Sequence, residues 1–461
     1  MMATRECDVL VIGAGPGGLA AAKAARECGA DDVIVLERGA EAGGILNQCI
    51  HDGFGLIRYG EALTGPEYAA KVLGEALSSG AEVLTGRHVK SISGNKAVVV
   101  YSTKGIETYH ARAIILATGC RERTRGAISI PGGRPAGVFT AGVAQNLINC
   151  KNVMIGKKVV ILGSGDIGLI MARRFTLEGA KVLAVVEIMS EPCGLARNVS
   201  QCVYEFDIPL YVNTTVTNII GKGRLEAVEL SEVDENKNPI AGTKRRIDCD
   251  SLVLSVGLIP ENEVAQTVGV KLNPDNSVIT DEFLQTSISG IFSCGNSRRV
   301  MDLADYVSEQ GELAGKNVVH YIKGEPMETW DEEKSNCMKK GFPERDTITC
   351  TVCPNGCQVK WDEATGQYSG NKCPRGQAFA VQERTSPKRT VTTTIKLAGS
   401  GLKLIPVRSS GTVNRNVVAH IVETLRDTTV KGSVQSGEVV YTETIAGDEI
   451  KIITTYGISE C

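Results

Sequence analysis

The sequence predicts an α/β fold in which one strand–turn–helix unit occurs twice, followed by a smaller C-terminal part. Three observations support this prediction. A glycine-rich turn lies between an apolar strand and a helical stretch near residue 13, and a second such turn lies near residue 163. Each unit continues into another apolar strand that ends in a glutamate. A cysteine-rich segment of different composition follows the second unit.

The first unit begins with the apolar run from Cys7 to Ile12, and its turn leads into an alanine-rich helical stretch. In this motif the glycines allow a tight turn, the approach of a pyrophosphate to the backbone, and close packing of helix on strand. The free N–H groups at the start of the helix then donate hydrogen bonds to the negatively charged pyrophosphate. Glu37 ends the next strand and is placed to accept from a ribose 2′-hydroxyl. The predicted cofactor-binding residues of this unit are Gly13, Gly15, Pro16, Gly17, Gly18, Glu37, Arg38 and Gly44.

The second unit repeats this pattern over residues 157–187. Its second strand ends in Glu187, whose carboxylate favours a free ribose 2′-hydroxyl and repels a 2′-phosphate, so we expect NAD(H) rather than NADP(H). Two dinucleotide folds in this order indicate hydride transfer between FAD and a nicotinamide. The predicted cofactor-binding residues here are Gly163, Gly165, Asp166, Ile167, Gly168 and Glu187.

Length and composition limit the class of protein. The 461 residues are enough for two to four domains. A net charge of −3 gives no reason to expect nucleic acid as a partner. The sequence shows neither a signal-peptide pattern nor the about 18 uninterrupted apolar residues of a membrane span, so we expect a cytoplasmic protein. Most of the 15 cysteines lie in apolar strands, where we expect them to be buried as small hydrophobic side chains.

Further buried strands stop abruptly at glycine, near residues 119, 257 and 295. These segments, in this order, resemble the flavoproteins with two dinucleotide-binding domains, a group that contains glutathione reductase and ferredoxin reductases. The resemblance implies that the NAD-binding domain is inserted within the FAD-binding domain. It also implies cofactor contacts from Ala117, Thr118, Gly119, Gly257, Gly295 and Asn296. The predicted boundaries are 1–125 and 280–325 for the FAD-binding domain, 126–279 for the NAD-binding domain, 326–346 for a linker, 347–390 for a four-cysteine metal segment, and 391–461 for a small α+β domain.

A narrower resemblance rests on the segments 43–55, 119–126 and 302–308. They are similar to the NAD-linked flavoprotein subunits of anaerobic-type glycerol-3-phosphate dehydrogenases and, more distantly, to opine oxidase subunits. The resemblance implies a component of a hetero-oligomeric complex that exchanges electrons with a partner flavoprotein dehydrogenase.

The sequence also differs from these families at specific positions. Disulfide reductases of the group carry two cysteines five positions apart beside the flavin, whereas this sequence has one thiol there, Cys49. The usual Asp at the ribityl contact is Asn296. Cys49 and His51 are the candidate catalytic residues, as a thiolate with an acid beside it. The other interpretation, a packing Cys and a flavin-contacting His, is the one the sequence favours, because a lone thiol cannot cycle as an internal disulfide. An autonomous NADH oxidase, peroxidase or thiol reductase that uses Cys49 stays the alternative function.

The cysteine-rich segment contains Cys350, Cys353 and Cys357 in a C-x2-C-x3-C pattern, and Cys373 follows sixteen positions later. Three close thiolates and a distant Cys-Pro favour a [4Fe–4S] cluster, because zinc ribbons usually use two C-x2-C pairs. The pattern also resembles the N-terminal [4Fe–4S] segment of molybdopterin oxidoreductases. Structural zinc and mononuclear iron stay open. Cys461, at the end of the sequence, is expected to be inert. The sequence therefore predicts an NAD(H)-dependent FAD oxidoreductase that relays electrons through a cluster to a partner.

Overall fold

The computed structural model describes residues 3–335, 341–344, 346–398 and 404–458. Cys461 and parts of the predicted linker lie outside the described residues. The α-helices are α1 Pro16–Glu27, α2 Gly65–Ser78, α3 Ala141–Lys151, α4 Asp166–Leu177, α5 Ala196–Cys202, α6 Glu263–Thr267, α7 Ala304–Lys323, α8 Pro374–Thr385 and α9 Val418–Asp427. The β-strands are β1 Ala3–Ile12, β2 Val33–Leu36, β3 Asp52–Phe54, β4 Leu63–Thr64, β5 Glu82–Leu84, β6 His88–Ile92, β7 Ala97–Ser102, β8 Gly105–Leu116, β9 Cys120–Glu122, β10 Val138–Thr140, β11 Lys158–Leu162, β12 Lys181–Val186, β13 Leu210–Tyr211, β14 Thr214–Gly221, β15 Leu225–Glu232, β16 Arg245–Asp248, β17 Ser251–Leu254, β18 Leu258–Pro260, β19 Ile291–Ser293, β20 Ile348–Thr349, β21 Gln358–Asp362, β22 Gln367–Ser369, β23 Lys388–Arg389, β24 Thr392–Ala398, β25 Leu404–Ser409, β26 Val413–Asn414, β27 Thr429–Lys431, β28 Val439–Ile445 and β29 Asp448–Thr454.

The first of two compact units is formed from Met1–Cys49, Phe54–Arg121 and Leu258–Asn336. Its sheet has the order β5-β2-β1-β8-β7-β6, with β19 paired to β8. β1 pairs in parallel with β2 and with β8, as strands joined through helices do. α1 and α7 pack closely, because a Cβ on Gly311 would lie 2.1 Å from the carbonyl oxygen of Gly17. Small residues at this crossing therefore set the distance between the two helices.

The second unit is formed from Ile50–Gly53, Glu122–Gly257 and Cys337–Cys461. Its first sheet is parallel throughout, with the order β10-β17-β11-β12-β13. β17 is buried along its whole length, as expected for a parallel strand that is covered on both faces. An antiparallel sheet with the order β14-β15-β16 packs against the strands of the parallel sheet through shared apolar side chains.

The C-terminal part of the second unit has a sheet of its own, with the order β27-β24-β25-β29-β28. α9 covers this sheet, and Ile421 of the helix and Ile452 of β29 are completely buried. Arg174 of α4 attaches the sheet to the parallel sheet's helices. Its guanidinium pairs with Glu178 at 2.8 Å and donates to the hydroxyl of Thr393 at 2.9 Å. The C-terminal sheet is thus fixed to a helix of the second nucleotide fold by a buried polar contact.

This architecture confirms the predicted α/β fold with two Rossmann-like units and an additional C-terminal domain. The second fold lies within the sequence of the first, as predicted, since residues 258–336 return to the first unit. The C-terminal domain is of the predicted α+β type, since it contains β28 and β29 as well as α9. The individual domain boundaries stay predictions. Among the described residues, no helix combines the length and apolar composition that crossing a bilayer requires.

Candidate functional site

The first glycine turn, between β1 and α1, has the geometry that a phosphate-binding turn needs. Gly13 has a φ of +108°, and a Cβ there would lie 2.3 Å from the carbonyl oxygen of Ala117. A Cβ on Gly18 would lie 1.9 Å from the carbonyl oxygen of Gly13. At Gly15 no atom lies within 4 Å of the position of a Cβ. The turn is therefore closed where helix meets strand and open where a pyrophosphate would approach.

Glu37 holds the end of β2 to this turn. Its Oε2 accepts from the N–H of Ala14 at 3.0 Å, and its Oε1 accepts from the N–H of Gly39 at 2.7 Å. A carboxylate has about four lone-pair sites, so two remain for a ribose. Arg38, also predicted to bind cofactor, instead pairs with Glu261 at 2.9 Å, with its own side chain 61% exposed. A role for Arg38 toward the cofactor stays a prediction.

The other residues of the first turn frame the same opening. Pro16 occupies the first position of α1, where its missing N–H costs nothing. Gly17 faces α7, with a Cβ there 3.2 Å from the side chain of Val307. Gly44 approaches from the other side, since its Cβ would lie 3.1 Å from the Cα of Gly15. The structure thus brings Gly44 to the turn that the sequence assigned to the FAD.

The second glycine turn repeats this geometry between β11 and α4. A Cβ on Gly163 would lie 2.0 Å from the carbonyl oxygen of Ser255, and one on Gly168 would lie 2.7 Å from that of Gly163. The neighbours of Gly165 lie at ordinary contact distance, 3.6 Å and beyond. As at the first turn, the tight contacts lie at the first and last glycines and the looser one lies between them.

Glu187 bridges the second turn as Glu37 bridges the first. Its Oε2 accepts from the N–H and the hydroxyl of Ser164, the former at 2.9 Å, and its Oε1 accepts from the N–H of Met189 at 2.9 Å. Glu187 is only 4% exposed. The same acid at the same place in both folds therefore has a structural task besides the predicted contact to a ribose.

Asp166 and Ile167 open α4. The Oδ1 of Asp166 accepts from the N–H of Leu195 at 2.8 Å and from the amide of Asn198 at 2.7 Å. An acid in the first turn of a helix is favoured by the macrodipole. Ile167 packs on the core of the parallel sheet. These contacts give both residues a structural role, and their predicted contact to NAD stays a prediction.

Polar atoms without partners lie near the ends of β8 and β19 in the first unit. The hydroxyl oxygen of Thr118 is buried and has no hydrogen-bond partner among the described residues. Gly119 next to it has a φ of +72° and open space on its side-chain side. In the second unit, Gly257 likewise has a φ of +100°, and its carbonyl accepts from the N–H of Arg123 at 3.0 Å. A bound cofactor would supply the hydrogen-bond partner that the buried hydroxyl of Thr118 lacks among the described residues.

Gly295 and Asn296 follow β19, where the sequence predicted the ribityl contact. The N–H of Gly295 donates to the side-chain oxygen of Gln310 at 2.8 Å. Gln310 is completely buried, and its Nε2 has no partner among the described residues. The side-chain oxygen of Asn296 accepts from the N–H of Met301 at 3.0 Å. Gln310 is thus a candidate cofactor-contacting residue that the sequence reasoning missed, because only the packing of α7 brings it to this loop.

Cys49 and His51 have different surroundings, although they are near in sequence. Cys49 is 3% exposed, and its thiol donates to the carbonyl of Ile45 at 3.3 Å. The imidazole Nε2 of His51 is enclosed by protein, and burial lowers the pKa of His51 to about 4. The imidazole is therefore neutral near pH 7, which disfavours the interpretation of His51 as an acid for a Cys49 thiolate.

Comparison with known proteins identifies the family. A family model described as pyridine nucleotide-disulphide oxidoreductase matches residues 7–311, more than half of the chain. The chain belongs to this family. It is a flavoprotein oxidoreductase that uses FAD and NAD(P), as both Rossmann-like units indicated.

Relatives and solved structures agree with this family. The chain is 29% identical over 323 residues to a thioredoxin reductase of Listeria innocua, covering 68% of this chain and 94% of that protein. It is 25% identical over 335 residues to one of the subunits of the opine oxidase of Agrobacterium tumefaciens, covering 67% and 64%. The crystal structure of T. acidophilum thioredoxin reductase superposes with a TM-score of 0.57 at 24% identity, covering 69% of this chain and 99% of that one. The last comparison shows the fold alone.

The pyridine nucleotide-disulphide oxidoreductase match ends before the cysteine-rich segment. A second family model, described as a protein of unknown function (DUF1667), matches residues 374–456, which contain α8 and the C-terminal sheet. Thirteen cysteines lie in the described residues, and no disulfide joins any two of them. Family membership therefore supports the nucleotide chemistry of the chain.

The four predicted metal ligands lie in and beside a small apolar core. Cys350 and Cys357 are 3% and 9% exposed, and the N–H of Cys350 donates to the carbonyl of Cys357 at 2.8 Å. Burial raises the pKa of Cys350, and the thiols of the other three cysteines raise it further. Cys373 caps α8, and the N–H of Gly376 lowers the pKa of its thiol. In the part of the chain that the structure describes, no group of three or more His, Cys, Asp or Glu side chains forms a ready metal site.

Proposed function

We propose that this chain is an NAD(H)-dependent FAD oxidoreductase subunit that passes electrons between NAD(H), FAD and an iron–sulfur cluster bound by four cysteines, and exchanges them with a partner dehydrogenase. The observation that carries the proposal is the pair of matching glycine turns, each bridged by a carboxylate, in one chain. Bound FAD and nicotinamide supply the hydride-transfer chemistry, and the protein binds and orients them.

The preference for NAD(H) over NADP(H) rests on Glu187. This carboxylate is buried at the end of β12, where the adenosine ribose of a nucleotide on the turn would lie. A 2′-phosphate there would bring its charge against a carboxylate held by three hydrogen bonds. The residues after Glu187 are Ile188 and Met189, which offer no guanidinium to a phosphate.

The proposed cluster would be held by Cys350, Cys353, Cys357 and Cys373. The support for this donor set is the spacing of the four cysteines in a turn-rich segment, and the pKa of Cys350, which burial and then the other three thiols raise; the described side chains do not themselves form a ready metal site. Three ligands on one loop and the fourth at the start of α8 suit a cubane. An iron–sulfur cluster supplies one-electron transfer between a two-electron flavin and a partner. Zinc or mononuclear iron is the alternative occupant of the same thiols.

The partner is proposed to be a flavoprotein dehydrogenase of the glycerol-3-phosphate type, on the resemblance of segments 43–55, 119–126 and 302–308. Two relatives are named as subunits of larger enzymes, one of the opine oxidase above and one of the sarcosine oxidase of Corynebacterium sp., which supports assembly with other chains. A cytoplasmic location follows from the sequence patterns alone and stays a prediction.

The test uses the natively expressed full chain purified without oxygen. We expect about one FAD per chain, bleaching of its absorbance by NADH, and about four iron and four sulfide per chain. Colourless protein, or flavin that NADH cannot bleach, would refute the oxidoreductase proposal. Zinc without sulfide would refute the cluster and leave the flavin chemistry standing. The companion polypeptide that co-purifies identifies the partner class, and a companion that does not oxidise glycerol-3-phosphate contradicts that part of the proposal.

A further inference from the structure

Two loops of the first unit meet α7 at the same place. One is the glycine turn between β1 and α1, and the other is the loop after β19. A Cβ on Gly17 would lie 3.2 Å from the Cγ1 of Val307, and one on Gly295 would lie 3.1 Å from the same atom. Gln310 follows one turn later on α7, and its Oε1 accepts from the N–H of Gly295 at 2.8 Å. The side chain of Gln310 therefore lies against the loop after β19, next to the point where α7 contacts the glycine turn.

The side-chain amide of Gln310 is satisfied at one end only. The residue is completely buried, and its Nε2 has no hydrogen-bond partner among the described residues. Asn317, two turns later on α7, is also completely buried, but protein groups satisfy both ends of its amide. Its Nδ2 donates to the carbonyls of Phe283 and Glu328 at 2.9 and 2.8 Å, and its Oδ1 accepts from the N–H of Glu328 at 2.8 Å. A buried donor without an acceptor is costly, so we expect the Nε2 of Gln310 to meet a group that the described residues do not supply.

The pyrophosphate of FAD is an acceptor that fits this donor. A nucleotide on the first turn brings its pyrophosphate to Gly15, where no atom lies within 4 Å of the position of a Cβ. Gly15 stands two residues before Gly17, the residue through which the turn contacts α7. The nitrogen of a side-chain amide only donates, and an ionised phosphate oxygen accepts, so the two are complementary. The negative charge of the phosphate would also strengthen such a hydrogen bond.

We propose that the side-chain amide of Gln310 joins the loop after β19 to FAD bound in the first fold, because its Oε1 holds the N–H of Gly295 while its Nε2 donates to a pyrophosphate oxygen. This rests on FAD as the occupant of the first fold. An amide is required at this position, since a carboxylate could hold the N–H of Gly295 but has no donor for the phosphate. Loss of the Nε2 should therefore weaken the binding of FAD beyond any effect on the stability of the protein.

The test compares Gln310→Glu with Asn317→Asp in the full chain, freed of FAD and then titrated with it. Both variants place an acid where α7 has a completely buried amide, so both should lower the melting temperature of the FAD-free protein. Only Gln310→Glu removes the donor proposed for FAD. Because that hydrogen bond is made to a charged group, we expect the dissociation constant of FAD, measured by flavin fluorescence, to rise about tenfold to a hundredfold. For Asn317→Asp we expect a change of less than about threefold, since all its partners are protein groups.

The outcomes separate this inference from the proposed function. A wild-type chain that cannot be loaded with FAD would refute the proposed function and this inference with it. A wild type that binds FAD, together with unchanged affinity in Gln310→Glu, would refute the role of Gln310 alone and leave a buried water as the partner of its Nε2. Equal weakening by both acids would also overturn it, because a buried charge in α7 would then suffice. If either acid variant does not fold, the apolar pair Gln310→Met and Asn317→Leu replaces them, and equal affinities for FAD in that pair overturn the inference.

Discussion

Replacing Glu187 by Gln tests the central geometry of the second nucleotide fold. The carboxylate accepts from two backbone N–H groups and one hydroxyl. An amide offers only one oxygen, so at least one buried N–H loses its acceptor, at about 1–3 kcal/mol, and the remaining bonds lose their charge assistance, at about 1 kcal/mol. A total of about 2–4 kcal/mol corresponds to a fall in the melting temperature of about 5–10 °C for a unit of this size.

The same variant is expected to change the choice of nucleotide. Loss of the negative charge removes repulsion of a 2′-phosphate by about 1.4 kcal/mol, so the ratio of kcat/KM for NADPH to that for NADH should rise about tenfold. Steady-state assays with an artificial acceptor and a thermal melt of the same samples measure both effects. Glu191→Gln is the matched control, because Glu191 is exposed in the following loop, and its melting temperature should stay within about 2 °C of wild type.

The two readouts separate the roles of this acid. A lower melting temperature with an unchanged nucleotide preference would show that Glu187 only holds the turn. Wild-type stability together with wild-type preference would refute the bridging geometry and the ribose contact at once.

Three further predictions address Gly18, His51 and Cys49. Gly18→Ala should lower the free energy of unfolding by about 1–3 kcal/mol and reduce FAD retention, because its Cβ would lie 1.9 Å from the carbonyl oxygen of Gly13. The control Gly74→Ala, in open space on α2, should be neutral or stabilising. An unchanged FAD content in Gly18→Ala would argue against the proposed role of this turn. Burial lowers the pKa of His51 to about 4 in the folded chain, below the value of about 6.5 in the unfolded chain. As the pH falls below about 6.5, the unfolded chain takes up a proton on this imidazole that the folded chain does not, so the free energy of unfolding decreases. Between about pH 7.5 and 5 that loss is about 2 kcal/mol in urea unfolding, and His51→Gln should remove it; an equal slope in the variant contradicts the shift. Cys49→Ser should keep NADH oxidation by artificial acceptors within about twofold, because the thiol is buried and donates to a backbone carbonyl; a tenfold or greater loss would favour an autonomous enzyme that uses Cys49.

Local patterns made the nucleotide turns predictable. Gly13 and Gly163 each follow a buried strand and precede a helix, and this information lies within about 30 residues of sequence. The acids Glu37 and Glu187 were also found, at the ends of the second strands. Their hydrogen bonds back to the turns were not predicted, because the direction of a carboxylate depends on the backbone that parallel pairing brings beside it.

Long-range packing explains what the sequence could not reveal. Gln310 stands in an amphipathic helix like many other polar residues, and only the approach of α7 to the loop after β19 brings its amide to Gly295.

The shared bridge by Glu37 and Glu187 also bears on the proposed roles of the two folds, in which FAD is resident in the first and NAD(H) exchanges at the second. Both carboxylates accept from the N–H after the first glycine and from the N–H two residues beyond the acid. Glu187 accepts a further bond from the hydroxyl of Ser164, so fewer of its lone pairs remain for a ribose. Glu37 keeps two, which favours a tighter grip on the first nucleotide. This difference suits a resident FAD in the first fold and a diffusing NAD(H) in the second.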